Sequence, residues 1–366
     1  MRVGLQVKII NIETYRIQVP LLKPFKTALR VATTADSIYV KVQCDNGLIG
    51  WGEATATAVI TGDTLQSIET AIHDFFKPYL LGKDILNFED IFHDLSSLMI
   101  RNSSGRAAVD MAIYDCLAQY SQLPLYQYLG GKSSQLETDY TVSVDTPRKM
   151  GEEAKDYINN GFTILKVKVG LGDIYEDIAR VKEIRRCVGE GVTIRLDANQ
   201  GWTVKEAIQA IHRMEDLDLR IELVEQPVKA DDLEGLRQVT QHVDTLIMAD
   251  ESVFTPRQAL EVIHSRCADL INIKLMKTGG IFYAQSINQL AEAAGMECMM
   301  GSMIETHLGL TAAAHFAASK RNITRYDFDA PLMLSHSMIT GGIQYHDSKF
   351  SLPDAVGLGI GNVQLR

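Results

Sequence analysis

Residues 193–228 read TIRLDANQGWTVKEAIQAIHRMEDLDLRIELVEQPV, and this stretch decides the fold. Its two apolar runs, residues 193–197 and 221–225, have the length and composition of buried β-strands. Between them, Thr203 and Glu206 have the spacing of a capping box in front of an amphipathic helix. A strand, a helix and a second strand in this order predict a parallel βαβ unit.

The same unit recurs along the second part of the chain. A polar residue stands near the carboxyl end of each apolar run, 24 to 29 positions after the previous one, and these residues are Thr141, Lys168, Asp197, Glu225, Asp250, Lys274, Ser302 and Asp327. Eight units in about 190 residues favour an α/β barrel, a modified TIM barrel, over a doubly wound sheet. We predict this catalytic barrel over residues 132–333, with strands at 140–144, 164–169, 193–197, 221–225, 246–250, 270–274, 297–303 and 324–329.

The first 131 residues follow a different pattern. Three strand-like runs, at 9–19, 37–43 and 49–54, predict an antiparallel meander. From Thr64 onward the period is helical, and two predicted helix faces consist of Leu65, Ile68, Ile72 and Phe75, and of Ala108, Met111, Ala112 and Asp115. We predict an α+β capping domain over residues 1–131, completed by residues 334–366, which return to pack on it.

Composition excludes several classes of partner. There are 36 Lys and Arg against 46 Asp and Glu, a net charge of −10 without a basic tract, which argues against nucleic acid and membrane surfaces. The five cysteines lack disulfide-framework or zinc-site spacing and are interpreted as buried thiols in a reducing cytosol. Without an apolar run of 18 residues or a signal-peptide pattern, we predict a cytoplasmic protein, and we expect a homo-oligomer.

Three consecutive predicted strands end in carboxylates, Asp197, Glu225 and Asp250. Any one of them alone could equally be a helix N-cap or a surface residue. Together, at the carboxyl ends of adjacent barrel strands, they would repel one another unless a cation lies among them. Oxygen ligands without His or Cys favour a hard divalent ion, Mg²⁺ before Mn²⁺ or Ca²⁺.

Lysines occur on two further strands. Lys166 and Lys168 point to the same side of the second strand because side chains alternate with a period of two, although a solvated edge is the alternative for this pair. Lys274 stands in the apolar run 270–276, where a lone charge is costly without a partner.

The second and sixth strands of an eight-stranded barrel are diametrically opposed. Lys168 and Lys274 are therefore expected on opposite sides of the metal, one over each face of the α-carbon of a bound carboxylate. This arrangement suits 1,1-proton transfer through an ene-diolate that the metal stabilises. A neighbouring ammonium and the cation are expected to lower the pKa of such a lysine.

The eighth strand run ends with Asp327 and Asp329 on one face. They have no evident ionic partner among the residues assigned so far, so they are candidates to bind an ammonium group of the substrate. The alternative is a structural N-cap or turn before Pro331. A substrate with a carboxylate at one end and an ammonium at the other would have to be longer than an amino acid, and a dipeptide fits.

Other motifs carry less weight. Residues 357–361 have the glycine spacing of a dinucleotide fingerprint, but no helix can follow so close to the C-terminus, so we predict a turn or bulge. Gly279 and Gly280 could expose helix amides to an anion, although a flexible loop is favoured. For His307 we predict packing or hydrogen bonding rather than catalysis.

The motifs Lys166-Val167-Lys168, Asp197-Ala198-Asn199, Glu225-Gln226-Pro227, Asp250-Glu251-Ser252 and Ile273-Lys274 together resemble the enolase superfamily, in its muconate-lactonising-enzyme subgroup. Asp327-Phe328-Asp329 resembles the D-x-D motif of the dipeptide epimerases within that subgroup. The resemblance covers essentially the whole chain. It implies epimerisation of a dipeptide such as L-Ala-D/L-Glu at its C-terminal residue, in the recycling of cell-wall peptides.

The resemblance also implies roles for individual residues. Asp197, Glu225 and Asp250 would bind one Mg²⁺ per subunit, and Lys168 and Lys274 would be the acid/base pair. Lys166 would contact the substrate carboxylate, and Asp327 and Asp329 its ammonium. A cation from an N-terminal flap would bind the glutamyl side chain, with Arg30 as first choice and Lys26 as second, and the pocket would be lined by Thr141, Ser302 and Ile304.

Two alternatives stay open. The same machinery could act on another substrate, as in an N-acylamino acid racemase, an o-succinylbenzoate synthase or a muconate cycloisomerase. Asp327 and Asp329 argue against a dianionic substrate, which they would repel. A catalytically silent barrel is disfavoured by the cost of keeping three carboxylates and two opposed lysines buried.

Overall fold

A computed structural model describes residues 6–132 and 135–365. The chain begins with a three-stranded antiparallel sheet of β1 (Ile9–Lys26), β2 (Val31–Cys44) and β3 (Ile49–Thr55). This confirms the predicted meander. β1 is longer than predicted because the β1–β2 hairpin continues beyond an irregularity between Pro20 and Phe25 and pairs again at Phe25 and Ala32.

Helices cover one side of this sheet. They are α1 (Leu65–Thr70), a π-helical segment (Ala71–Phe76), α2 (Lys77–Leu80), a 3₁₀ turn (Ile85–Asn87), α3 (Phe88–Leu98), α4 (Ser103–Tyr120) and α5 (Leu125–Tyr128). We call residues 9–128 the cap. Phe75 was predicted on the buried face and this is wrong, since Phe75 is 42% exposed and Phe76 is buried. The π-helical turn takes more residues per turn than an α-helix and shifts the buried face by one position.

Helix α4 packs closely on β3. A Cβ atom on Gly50 would lie 1.9 Å from the carbonyl oxygen of Ala112, and one on Gly52 would lie 2.0 Å from that of Ala108. Only glycine therefore permits this approach. The predicted Ala-rich helix lies here, with its Ala108 and Ala112 backbone against the sheet.

Eight parallel strands in chain order form the barrel, which confirms the predicted fold. They are β5 (Tyr140–Val142), β6 (Ile164–Lys168), β7 (Thr193–Asp197), β8 (Ile221–Glu225), β9 (Leu246–Ala249), β10 (Leu270–Ile273), β11 (Cys298–Met300) and β12 (Ile323–Tyr326). The amide of Asp139 donates a 3.3 Å hydrogen bond to the carbonyl of Tyr326, so β12 lies beside the start of β5.

Helices follow the strands around the barrel. They are α6 (Pro147–Asn159), α7 (Ile174–Val188), α8 (Val204–Asp216), α9 (Leu233–His242), α10 (Pro256–Ser265), α11 (Leu275–Thr278), α12 (Ile281–Ala293), α13 (His307–Ala318) and a 3₁₀ turn (Ala330–Met333). The predicted capping box at the start of α8 is confirmed, because Glu206 N donates to Thr203 Oγ1 and Thr203 N donates to Glu206 Oε2.

The C-terminal segment contacts both parts of the molecule. Strands β14 (Gln344–His346) and β15 (Lys349–Ser351) form a sheet with β4 (Gln135–Glu137), and β13 (Ile339–Gly341) pairs with β16 (Ile360–Val363). The amide of Leu358 donates a 2.9 Å hydrogen bond to Asp115 in the cap. Gly357 and Gly359 have left-handed φ values of 66° and 67°, and no helix follows them up to residue 365, consistent with a turn.

The absence of membrane-spanning segments and the burial of the cysteines were both predicted from composition. None of the helices within residues 6–132 and 135–365 is long and apolar enough to cross a membrane. Four cysteines are buried as predicted, but Cys187 is half-buried. It lies near the end of α7, where its thiol contacts Glu183 and Arg186.

Candidate active site

The three predicted carboxylates lie together at the carboxyl ends of adjacent strands. Asp197 ends β7, Glu225 ends β8 directly opposite it, and Asp250 follows β9. All three are at most 1% exposed. Parallel strands in neighbouring positions bring their ends to one edge, and this is why residues some 25 positions apart meet.

Two lysines on β6 project into this cluster. Lys168 Nζ lies 2.6 Å from Asp197 Oδ2. Lys166 Nζ lies 2.8 Å from Glu225 Oε2 and 3.2 Å from Asp197 Oδ2. The predicted orientation of both side chains toward the barrel interior is confirmed, since Lys166 is 1% and Lys168 6% exposed.

Lys274 approaches the carboxylates from the other side. It follows β10, four strands from β6 in the barrel order. Its Nζ lies 2.7 Å from Asp250 Oδ2 and 3.6 Å from Glu225 Oε1. Lys168 and Lys274 thus flank the carboxylate cluster, and both line one cavity at the mouth of the barrel.

Charges within the cluster set the pKa values of its members. Burial and the neighbouring Asp197 raise the pKa of Glu225 to about 7. Burial alone would lower the pKa of Lys274, but Asp250 and Glu225 outweigh it and raise that pKa. Direct contact of the ammonium with these carboxylates accounts for the raised pKa. The predicted lowering depends on a bound cation and stays a prediction.

Asp327 and Asp329 line the same cavity as Lys168 and Lys274. The expectation that they have no ionic partner is wrong for Asp327, whose Oδ2 lies 2.7 Å from Lys166 Nζ. Barrel closure brings β12 next to β5, and the long Lys166 side chain on β6 reaches across. Asp329 Oδ2 accepts a 2.6 Å hydrogen bond from the amide of Thr141, and burial with the nearby Asp327 raises the pKa of Asp329 to about 7.

The side chain of Asp329 does not cap the turn that follows it, which was the alternative interpretation. Asp329 precedes the 3₁₀ turn Ala330–Met333, but its side chain makes no capping hydrogen bond there. Its carboxylate is turned instead toward Thr141 and the cavity.

The remaining predicted pocket residues also lie around this cavity. Its wall includes Arg30 from the β1–β2 hairpin and the barrel residues Thr141, Ser302 and Ile304. Lys26, the second choice for the flap cation, is directed away, with its Nζ 3.6 Å from Asp145. The cavity therefore has one predicted flap cation in its wall, Arg30.

Sequence reasoning missed two polar residues beneath the carboxylates. Lys277 is 1% exposed, and its Nζ lies 2.6 Å from Asp250 Oδ1. Asn272 donates a 2.7 Å hydrogen bond to Glu225 Oε1. Period-two alternation from Lys274 back along the strand could have identified Asn272. Lys277 lies on the short helix α11, which was not predicted because it begins within the apolar run 270–276.

The Gly279-Gly280 pair and His307 lie outside the carboxylate cluster. The amides of Ile281 and Phe282, after the Gly279-Gly280 pair, donate to the carboxyl group of Asp110 in the cap, so that helix N-terminus already has an acceptor within the protein. His307 begins α13, and burial lowers its pKa to about 4. It does not line the cavity.

The donor set fits a hard divalent cation. Within the described ranges no three His, Cys, Asp or Glu side chains have the spacing they would have around a bound metal ion, and lysine ammonium groups contact the three carboxylates. Three buried carboxylates on neighbouring strands nevertheless supply oxygen ligands only. The buried Oδ1 of the cavity-lining Asn199 is a further oxygen without a hydrogen-bond partner among the described residues.

Family models match both parts of the chain. Residues 10–130 match the N-terminal domain of mandelate racemase/muconate lactonizing enzymes, and residues 149–362 match the enolase C-terminal domain-like model. The chain is 62% identical to the L-Ala-D/L-Glu epimerase of Bacillus subtilis (strain 168) over 353 residues, 96% of each protein. It is 48% identical to the L-Ala-D/L-Glu epimerase of Clostridium acetobutylicum, covering 94% of this chain and 96% of that protein.

Solved structures are similar over the same length. A substrate-liganded complex of the Bacillus subtilis L-Ala-D/L-Glu epimerase superposes with a TM-score of 0.96 at 62% identity, covering 97% of this chain and 99% of that one. A dipeptide epimerase from Enterococcus faecalis V583, in complex with Mg and L-Leu-L-Tyr, gives 0.94 at 44% identity, covering 97% and 100%.

Proposed function

The chain belongs to the mandelate racemase/muconate lactonizing enzyme family of the enolase superfamily, and from that membership we propose that this isomerase is a Mg²⁺-dependent dipeptide epimerase. L-Ala-D/L-Glu is the proposed substrate, inverted at the α-carbon of its C-terminal residue. One observation carries the proposal: Lys168 and Lys274 flank the buried carboxylate cluster and line one cavity.

The two lysines would act as a pair. The amine of one takes the α-proton, and the ammonium of the other gives a proton to the opposite face of the same carbon. In the reverse direction they exchange these roles. Flanking positions in one cavity support inversion, whereas a single base would return the proton to the face it left.

The metal would be held by Asp197, Glu225 and Asp250. When bound, Mg²⁺ would stabilise the negative charge that develops on the substrate carboxylate in its ene-diolate form. Lys166 would contact that carboxylate too. Its present contacts with Glu225 and Asp327 keep its ammonium within the cluster, where burial is offset by ion pairs.

Asp327 and Asp329, in the wall of the same cavity, would hold the ammonium at the N-terminal end of the dipeptide. This supports a dipeptide over an N-acylated amino acid, which has no ammonium at that end. Arg30 would bind the glutamyl side chain from the hairpin, and the pocket wall would include Thr141, Ser302 and Ile304.

Replacement of one carboxylate tests the ammonium assignment. Asp327→Asn is expected to lower kcat/KM for L-Ala-L-Glu by about 10- to 100-fold, because a charge-assisted hydrogen bond contributes roughly 1.5–3 kcal/mol. Turnover of N-acetyl-L-Glu, if the wild type supports it, should fall less. Chiral chromatography of the C-terminal glutamate measures both rates.

An exposed carboxylate provides the matched control. Asp231→Asn, on the loop after β8, should leave both rates within twofold of the wild type. Equal losses of Asp327→Asn on the dipeptide and the N-acyl substrate would contradict an ammonium-binding role and would favour a role through Lys166 alone.

Several predictions made from the sequence stay proposals. The division of the chain at residues 131 and 132, with residues 334–366 completing the capping domain, is one. A cytoplasmic location, a homo-oligomeric state and a role in recycling cell-wall peptides are the others.

A further inference from the structure

Lys168 and Lys274 differ in the number of their ionic partners. Lys274 Nζ lies between two carboxylates, 2.7 Å from Asp250 and 3.6 Å from Glu225. Among the described residues, Lys168 has a single ionic partner, Asp197 at 2.6 Å. A lysine with one such contact retains more freedom about its four side-chain torsions than a lysine between two.

An aromatic ring from the cap covers Lys168. The ring centroid of Phe25 lies 5.6 Å from Lys168 Nζ, within the range of a cation–π contact, and Phe25 lines the same cavity. Phe25 is next to the tip of the β1–β2 hairpin, where it pairs with Ala32. Lys274 has no aromatic partner of this kind among the described residues.

The barrel holds this part of the hairpin in place. The amide of Lys26 donates a 3.3 Å hydrogen bond to Ser143 Oγ, and the amide of Val144 donates a 3.3 Å hydrogen bond to the carbonyl of Lys26. The residue directly after Phe25 is therefore tied to the loop that follows β5. The backbone hydrogen bonds of Lys26 and the pairing of Phe25 with Ala32 together hold the ring over Lys168.

We propose that Phe25 is a positioning residue for Lys168. The cap then helps to hold one of the two proton-transfer lysines in place, whereas the other, Lys274, is held by barrel residues. This inference rests on the proposed function. Asp197 fixes the ammonium from the barrel side, and the ring limits its movement and excludes water from the cavity side. Misplacement of a reacting group by about 1 Å can cost on the order of 100-fold in rate.

Proton exchange in D₂O distinguishes the two lysines, because the initial rate of α-proton loss from each diastereomer reports the lysine facing that proton. We would measure it by NMR for L-Ala-L-Glu and L-Ala-D-Glu. Lys168→Ala identifies the diastereomer that Lys168 deprotonates. Phe25→Leu and Phe25→Ala are expected to slow loss from that diastereomer by about tenfold or more, and from the other by less than twofold.

The control variant is Leu29→Ala, which changes an apolar, non-aromatic residue of the same hairpin that also lines the cavity. It should affect both diastereomers alike. If Phe25→Ala fails to fold, as judged by circular dichroism, Phe25→Leu supports the same comparison, because leucine keeps the apolar volume without the ring.

The outcomes separate this inference from the function on which it rests. Equal slowing of both diastereomers by the Phe25 variants, or no slowing, would overturn the positioning role while leaving the epimerase function intact. If the wild type released the α-proton of neither diastereomer, the dipeptide function itself would be wrong, and the role of Phe25 with it.

Discussion

Lys168→Ala and Lys274→Ala are each expected to reduce epimerisation of L-Ala-L-Glu by about 1,000-fold or more. A positioned acid or base contributes roughly 10²- to 10⁴-fold to a proton transfer, and inversion needs both lysines in each turnover. Neither lysine is a proposed metal ligand, so Mg²⁺ binding should persist in both variants. Chiral chromatography gives the rate, and calorimetry gives the metal affinity.

The two variants should differ in which proton they can still exchange. In D₂O, each should retain α-proton exchange, without inversion, for the one diastereomer whose proton faces the remaining lysine, and the retained diastereomer should be opposite in the two variants. Lys155→Ala, on the exposed surface of α6, is the control and should behave as the wild type. Net epimerisation retained in both active-site variants would contradict the two-base mechanism.

Glu225→Gln is expected to weaken Mg²⁺ binding by at least about 100-fold and to abolish epimerisation. Glu225 is the middle member of the three carboxylates, and the amide replaces a charged ligand oxygen while keeping the shape of the side chain. Loss of an outer-shell partner alone typically costs 10- to 100-fold in metal affinity, so loss of a ligand should cost at least as much. Titration calorimetry with Mg²⁺ measures the binding without recourse to activity.

The same strand supplies the control. Glu222→Gln changes a glutamate three residues earlier on β8, whose carboxylate pairs with Arg195 and Arg325 rather than with the site. This variant should bind Mg²⁺ with the affinity of the wild type. Wild-type affinity in Glu225→Gln would mean that the ion binds elsewhere and would remove the metal site proposed at Asp197, Glu225 and Asp250.

Local sequence patterns were sufficient to predict the barrel and to identify most of the polar residues that line the cavity. Strands β7 and β8 have the predicted ends, and the predicted capping box starts the helix between them. Once the strands are aligned, their last polar residues must meet at one edge. The cluster of Asp197, Glu225 and Asp250 follows from that alignment alone.

What the sequence did not reveal depends on contacts between distant segments. Lys166 pairs with Asp327 only because the barrel closes, and no local pattern contains that closure. The π-helical segment Ala71–Phe76 departs from the regular helical period that placed Phe75 inside. Phe25 lies over Lys168 because the β1–β2 hairpin reaches the barrel mouth, a contact across 143 positions of sequence.

The most direct test of the proposed function is incubation of the wild-type protein with Mg²⁺ and L-Ala-L-Glu in D₂O. The glutamate α-proton is followed by NMR, and chiral analysis of the same samples follows the appearance of L-Ala-D-Glu. The expected result is loss of the α-proton signal together with formation of L-Ala-D-Glu, and neither change is expected without Mg²⁺. An α-proton that persists in the presence of Mg²⁺, with no D-glutamate formed, would contradict it.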